Sequence, residues 1–356
     1  MDNQRLFMDV HAIQTLPPSN INRDDAGSPK TAQYGGTRRA RVSSQAWKHA
    51  MRLYFENNSA AELGKRTKNV AQYVADCILE LDGNISQEEA FGKAIKVLND
   101  AGIKAGKDGT TKALFFIGKR QAMALGQAAI NNVSDKKELQ KLVKQNPAID
   151  IALFGRMVAD DPTLNEDASA QVAHAISTHS VQNEFDYFTA VDDLSAEDNA
   201  GAGMLGTIEY NSSTLYRYAN VAVHELIQQL GDPDTTIKAL QLFIEAFSNS
   251  LPSGKVNTFA NDTLPQAIVV TVRDDRPVNL VSAYEKPVIS KEGYVEESIN
   301  RLFSEYQKAE KFVHKPLFTL YITRDDIEEV IADGIKESDM DTLIKDFAEQ
   351  LRQHLN

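Results

Sequence analysis

Residues 35–52 read GGTRRARVSSQAWKHAMR, and this run governs how the rest of the chain is read. Gly35-Gly36 marks a turn. Thr37–Val42 reads as a short strand, although three of its six residues are arginine. Ser44 is placed to cap a helix running from Gln45 to about Glu56. Side chains alternate across a strand, which puts Arg39 and Arg41 on one face and Arg38 on the other. On the helix, Gln45, Lys48, His49 and Arg52 recur at i, i+3, i+4 and i+7 and so share one face. A helix start carrying Ser43, Ser44 and free backbone N–H groups is a natural seat for phosphate. Hydroxyl, amide and guanidinium donors therefore converge. The plainer alternative is a solvated basic face.

Charge along the chain supports a functional reading. The 38 Lys and Arg stand against 50 Asp and Glu, a net charge of −12. That total argues against a nucleic-acid binder, because phosphate is repelled by an anionic surface. The charge is segregated, however. Met157 through Tyr216 carries eleven acidic residues and no Lys or Arg, while the span between Asp25 and Glu56 carries six bases and no acid. The local balance at the run is strongly cationic.

Composition excludes several classes. With 42% hydrophobic and 25% charged residues the chain reads as an ordinary globular protein of about two domains, or one with a large insertion. No apolar stretch approaches the ~18 residues of a membrane helix. The first residues show no basic start followed by an apolar run, so no secretory signal is expected. Cys77 is the only cysteine, which excludes an internal disulfide and thiolate zinc sites. A reducing cytoplasm is the expected compartment.

Outward from the run, Arg5–Ile13 alternates as an opening strand with Leu6, Met8 and Val10 on one face. Four helical stretches are expected between Ala60 and Gln145. Val70, Val74, Cys77, Ile78 and Leu81 form an apolar stripe on the first, Ser86 and Glu89 a capping box on the second. The other two cover about Lys119–Asn131 and Ser134–Gln145. Met204–Tyr218 alternates like two strands around a turn at Asn211-Ser212-Ser213. Further strands are expected at Leu264–Val272, Val278–Tyr284 and Leu317–Thr323. Helices are expected at Val223–Leu230, Thr235–Asn249 and Glu292–Phe312, and two acidic helices close the chain. This alternation predicts an α+β fold of the ferredoxin type.

The run at 35–52, with Asn22-Arg23-Asp24-Asp25 before it, resembles the N-terminal signature of the backbone, crRNA-binding subunits of the type I-E CRISPR Cascade complex, within the CRISPR RAMP superfamily. Further segments follow in that family's order: residues 149–157 (IDIALFGRM), 173–179 (AHAISTH), 188–194 (FTAVDDL) and 215–220 (LYRYAN). The resemblance implies an RNA-recognition-motif-like palm (residues 1–59 and 223–356), a helical finger insertion (60–190) and a protruding hairpin thumb (191–222). It implies a non-enzymatic scaffold. Several copies stack head to tail along one guide RNA, gripping its phosphates regardless of sequence and presenting bases to a target DNA strand, alongside other Cascade subunits. Arg23, Lys30, Arg41, Ser43, Gln45, Lys48, His49 and Arg52 match the family's guide contacts by position. His49 stands where relatives often carry arginine or lysine, and an imidazole is not permanently cationic. Arg38 and Arg39 extend the candidate RNA-binding set. The chain lacks the aromatic-rich RNP1 pattern, so its palm is not expected to stack bases.

Other constellations are weaker. Lys136, Lys137, Lys141 and Lys144 lie on one expected helix, and by resemblance this helix attracts duplex DNA; a solvated face is the alternative. Met204 and Leu205 are exposed apolar candidates at the thumb. Residues 251–259 (LPSGKVNTF) fail the P-loop pattern, yet Lys255 is a candidate phosphate contact. His174 and His179 are five apart, which does not align two imidazoles for a metal, and no metal or other cofactor is expected. They read as local hydrogen bonding or an RNA contact. The rival reading of the whole chain is a metal-dependent target-RNA endonuclease subunit using Asp24 and Asp25, carboxylates on the loop beside the basic run.

Overall fold

The computed structural model of the chain describes residues 5–59, 61–158, 161–190, 205–328 and 330–355. In chain order the strands and helices are β1 (Phe7–Ser19), β2 (Thr31–Tyr34), β3 (Thr37–Val42), α1 (Ser44–Asn58), β4 (Lys65–Thr67), α2 (Val70–Leu81), α3 (Gln87–Ala101), β5 (Phe115–Ile117), α4 (Lys119–Ile130), α5 (Lys136–Lys144), α6 (Ile149–Phe154), β6 (Ala170–Val172), β7 (Ala175–Ser177), β8 (Glu184–Thr189), β9 (Leu205–Ala222), α7 (Val223–Leu230), α8 (Pro233–Asn249), α9 (Val256–Phe259), β10 (Pro265–Arg273), α10 (Val295–Ala309), β11 (Phe318–Thr323), β12 (Ile335–Lys336) and α11 (Met340–His354). The fold is α+β, as expected.

A large sheet in the order β12-β11-β10-β1-β9-β7-β3-β2 organises the chain, with β6 and β8 also pairing with β9. All its pairings are antiparallel except β11 with β12. Strand β1 is central, with β10 and β9 paired along its two edges and a separate core packed on each of its faces. One face carries Met8, Val10 and Ala12 into a core with Trp47, Met51 and Phe55 of α1 and Phe243 and Phe247 of α8. The other packs Ile13, Tyr216, Tyr218 and Val269 against Ile299, Leu302, Phe303 and Tyr306 of α10. Helices α2 to α5 share a separate core that includes Val74, Ile78, Leu98, Leu125 and Leu139. Each large apolar side chain so buried contributes roughly 1.5–3 kcal/mol.

Several expected elements take a different form. Met204–Tyr218 is not a hairpin: β9 is one strand of 18 residues, whose first part pairs with β8 and whose second pairs with β1. Asn211–Ser213, read as a turn, lies where β9 passes a register shift between Leu16 and Ser19 of β1. Val278–Tyr284 forms no strand; its end is a short 3-10 helix, Val281–Tyr284. The N–H groups of Val278 and Leu280 donate to the Asp9 carboxylate and the Tyr216 hydroxyl, so no ladder forms there. Among the described residues one helix, α11, closes the chain rather than two. The cap of α1 is Ser43, one residue earlier than expected.

Candidate nucleic-acid interface

The turn between β2 and β3 is tight because Gly35 and Gly36 both have positive φ, and a Cβ on Gly35 would meet the Glu285 carbonyl oxygen. From there β3 runs directly into α1. Ser43 Oγ accepts from the Ala46 N–H, and its own N–H donates to Asn22 Oδ1 at 2.9 Å. Asn22 thereby ties the loop before β2 to the helix start. The same loop is stitched to β3: the Lys30 N–H donates to the Asn22 carbonyl, and the Arg41 N–H donates to the Lys30 carbonyl, each at 2.9 Å. Beneath α1, the buried Arg217 guanidinium stands 3.7 Å from the Trp47 ring centroid and holds the helix on β9. Burial pushes the Arg217 pKa down to about 9, so the group stays cationic near neutrality.

The candidate donors of this frame, here termed the ledge, are carried by the loop before β2, by β3 and by the first turns of α1. Arg23, Arg38, Gln45 and His49 are exposed or half-buried, as are Lys30, Arg41 and Lys48. Lys48 lies 5.8 Å from the Phe154 ring centroid, and burial lowers its pKa. The loop carrying Gly254 and Lys255 closes one side. Gly254 packs so tightly on the 20–22 loop that a Cβ would lie 2.3 Å from the Ile21 carbonyl oxygen. An open cavity of about 460 Å³ is lined by Asn22, Arg23, Asp24, Asp25 and Gly254. Lys255 itself has positive φ and sits at the start of α9.

Three of the expected contacts have structural work instead: Ser43, which is buried and caps α1, Arg39 and Arg52. Arg39, a candidate RNA contact from the sequence, is fully buried and so cannot reach a bound strand. Its Nη1 donates to the Ser177 and Thr178 carbonyls at 2.9 Å, its Nη2 to the Tyr284 carbonyl at 2.8 Å, and its Nε to Thr37 Oγ1 at 2.9 Å. The segment around Tyr284 covers that face of β3, which alternation along the strand does not reveal. Arg52 is half-buried and lies over the Phe116 ring, with its Nε 2.9 Å from Asp150 Oδ2. Among the described residues it is the one base of the run paired with a carboxylate.

Other sequence candidates are placed as follows. Asp24 Oδ1 accepts from the N–H groups of Ala26 and Ser28, so one of its oxygens closes a local turn. Lys136 pairs with Asp161 Oδ2 at 3.1 Å, and the Thr163 hydroxyl, followed by Lys136, depresses the Asp161 carboxyl to about 2. Lys137, Lys141 and Lys144 line an open cleft of about 920 Å³ facing Glu166, Asp167 and Glu225. Met204 lies outside the described residues, and Leu205 begins β9. His179 is buried: its Nδ1–H donates to the Ser180 carbonyl, while Nε2 accepts from the Thr214 N–H at 3.1 Å. Its ring stacks on Tyr294 with centroids 3.7 Å apart.

His174 joins the ledge. Its Nδ1 lies 3.3 Å from Arg41 Nη1, and partial burial with the charges of Arg41 and Lys30 lowers its pKa. Arg217 and Asn22 lie within the segments 215–220 and 22–25 that carry the family resemblance, but neither is given a structural role by the sequence reading. An arginine in the same alternation phase as Leu215, Ala219 and Val221 is the one signal that would have marked Arg217 as buried.

A family model described as CT1975-like protein matches residues 8–348. The chain belongs to this family. Among solved structures, the CT1975-like chain is similar to a chain of a "CRISPR RNA-guided surveillance complex, pre-nicking", with 32% identity and a TM-score of 0.84 over 96% of this chain and 99% of that one. A chain of another CRISPR RNA-guided surveillance complex shows 27% identity and a TM-score of 0.73, again over 96% and 99% of the two chains. No curated protein matches. The CRISPR backbone-subunit resemblance carried by residues 35–52 and the matched family agree. No helix among the described residues of the CT1975-like chain is long and apolar enough to cross a membrane.

Proposed function

We propose that this chain is a component of a CRISPR RNA-guided surveillance complex and serves there as the multi-copy guide-RNA backbone subunit of type I-E. It grips RNA phosphates without reading sequence and leaves the bases free to pair with target DNA. It performs no chemistry itself. The single observation that carries this reading is the ledge at β3 and α1. Arg23, Arg38, Arg41, Lys48 and His49 lie exposed or half-buried along the loop before β2, β3 and α1, with no carboxylate paired to them among the described residues, on a chain 32% identical along almost its full length to a surveillance-complex subunit. Such donors fix a backbone and carry no base code. The turn-closing role of Asp24 Oδ1 gives no support to the endonuclease alternative.

The test is expression of the full chain with and without a guide RNA, reading absorbance ratio and particle mass. A particle of several protein copies per RNA is expected only with the guide. Free monomer in both preparations sinks the proposal.

A further inference from the structure

We infer that His174, with Arg41 and Lys30, forms a proton-linked seat for one phosphate of a single-stranded nucleic acid. The inference rests on the function proposed above and adds a residue and a proton to it. β3 pairs with β7 through Arg41↔Ile176 and Val42↔Ala175, which leaves His174 exposed where the chain passes from β6 into β7, beside the start of α1. Arg41 Nε donates to the Thr31 carbonyl at 3.2 Å, fixing the guanidinium plane, and Arg41 Nη1 faces His174 Nδ1 at 3.3 Å. The backbone bond from the Arg41 N–H to the Lys30 carbonyl holds the two bases as neighbours. Three nitrogen-bearing side chains thus converge, and no carboxylate pairs with them among the described residues.

In the free protein a guanidinium N–H pointing at Nδ1 requires an unprotonated nitrogen there, so His174 is neutral. The charges facing the ring are Arg41 from β3 and Lys30 from the loop before β2; β6 and β7 contribute none. Both repel a proton. A phosphate oxyanion settling against Arg41 and Lys30 offsets that repulsion and offers the ring an acceptor. Nδ1 then takes a proton from solvent and becomes a further donor to the oxyanion. The Arg41 Nη1–H, having lost its acceptor, turns to the same phosphate. Binding is therefore coupled to uptake of one proton and strengthens as pH falls through the imidazole range.

The experiment measures the affinity of the full chain for an oligouridylate, whose bases do not titrate between about pH 8 and about pH 5.5. Wild type, His174→Gln and His314→Gln, the last on an exposed loop beside Asp274 and outside the donor set, are compared at constant ionic strength. Wild-type affinity is expected to rise toward acid, by up to about tenfold per pH unit for one linked proton. His174→Gln is expected to lower that slope by about one linked proton while His314→Gln keeps it, and the His174 ring resonance is expected to titrate at higher pH when RNA is bound. A wild-type slope in His174→Gln, or a ring whose titration RNA does not move, overturns the seat. Tight RNA binding with no pH dependence overturns the seat but leaves the guide-binding function standing. No RNA binding at any pH overturns both.

Discussion

Arg52 Nε lies 2.9 Å from Oδ2 of Asp150, whose side chain is fully buried while that of Arg52 keeps 21% of its surface exposed. Asp150 also accepts from the Gly64 N–H at 2.8 Å, so the pair joins α1 to α6 and to the segment leading into β4. Burial raises the Asp150 pKa, and Arg52 and Gly64 pull it back. Removing Arg52 leaves that carboxylate unpaired in the interior. Arg52→Ala is expected to destabilise by about 3 kcal/mol, the low end for breaking a buried pair because one partner is partly solvated. Urea unfolding checks this. An unchanged midpoint would return Arg52 to the set of freely available RNA contacts.

Arg38 and Arg39 are adjacent in sequence and opposite in consequence. Arg39→Ala strips donors from the carbonyls of Ser177, Thr178 and Tyr284 and leaves a void where a large side chain was. A loss of roughly 3 kcal/mol or more is expected. Arg38→Ala, at an exposed position, should move stability by no more than about 0.5 kcal/mol. Its effect should appear in RNA affinity instead, with a log–log salt slope shallower by about 0.7. Equal melting temperatures for the two variants would contradict the assignment.

The division between these arginines marks how far the sequence could be read. The strand Thr37–Val42 and the helix after it follow from local spacing, though the cap is Ser43 and not the expected Ser44, and the stripe on Val70–Leu81 follows from periodicity. Alternation also puts Arg39 and Arg41 on one face, correctly. What alternation omits is the segment around Tyr284, distant in sequence, that covers half of that face. The same blindness explains β9: the pattern from Met204 to Tyr218 is that of strand pairing, but the partners β8 and β1 are non-local. Asn211–Ser213 therefore read as a turn when it is a register shift. His174 was legible within the family-like segment 173–179, as local hydrogen bonding or an RNA contact. Its contact with Arg41 depends on the β3–β7 register, which no local pattern encodes.

Acid stability depends on buried groups of opposite sign. Burial lowers the His11 pKa to about 3 and lowers that of His179, so both are neutral in the fold. An unfolded imidazole takes up its proton near ~6.5, and stability from these groups is present above that pH and lost as pH falls toward the folded values. Asp9 opposes them. Burial raises its carboxyl to about 7, so its contribution is complete below the unfolded value near ~3.9 and is lost as pH rises through the folded one. Between about pH 7 and 5 the effects offset, each fully shifted group counting for about 1.4 kcal/mol per pH unit. Asp9→Asn is expected to unmask the histidines. Its urea midpoint should fall more steeply on acidification than that of wild type, and a parallel pair of curves would reject the balance.

Gly254 and Lys255 separate packing from charge within one loop. A Cβ at Gly254 would lie 2.3 Å from the Ile21 carbonyl oxygen, which is backbone and does not swing away. Gly254→Ala is expected to push the loop off residues 20–22 and weaken RNA binding about tenfold, with a lower melting temperature. Lys255→Ala should weaken binding only modestly, reduce its salt dependence and leave the melting temperature unchanged. If both variants bind RNA as wild type does, the cavity beside Asn22 and Arg23 is not part of the interface.

The lysines of α5 divide in a way that their spacing alone does not disclose. Lys136 is held by Asp161, and its removal frees a carboxylate rather than a phosphate contact. Lys137, Lys141 and Lys144 are exposed, but they face a cleft whose far side carries Glu166, Asp167 and Glu225. An incoming DNA backbone must compete with those carboxylates, so any attraction is weak and strongly screened above about 0.15 M salt. For an RNA-loaded complex, replacing Lys137, Lys141 and Lys144 together by alanine is expected to lower non-specific duplex affinity several-fold at low salt and to flatten its salt dependence. Lys136→Ala is expected to do neither. Gel-shift titrations at two or more ionic strengths distinguish the outcomes. Identical salt slopes for the triple variant and wild type would reduce α5 to a solvated face whose charge balances the acidic wall opposite.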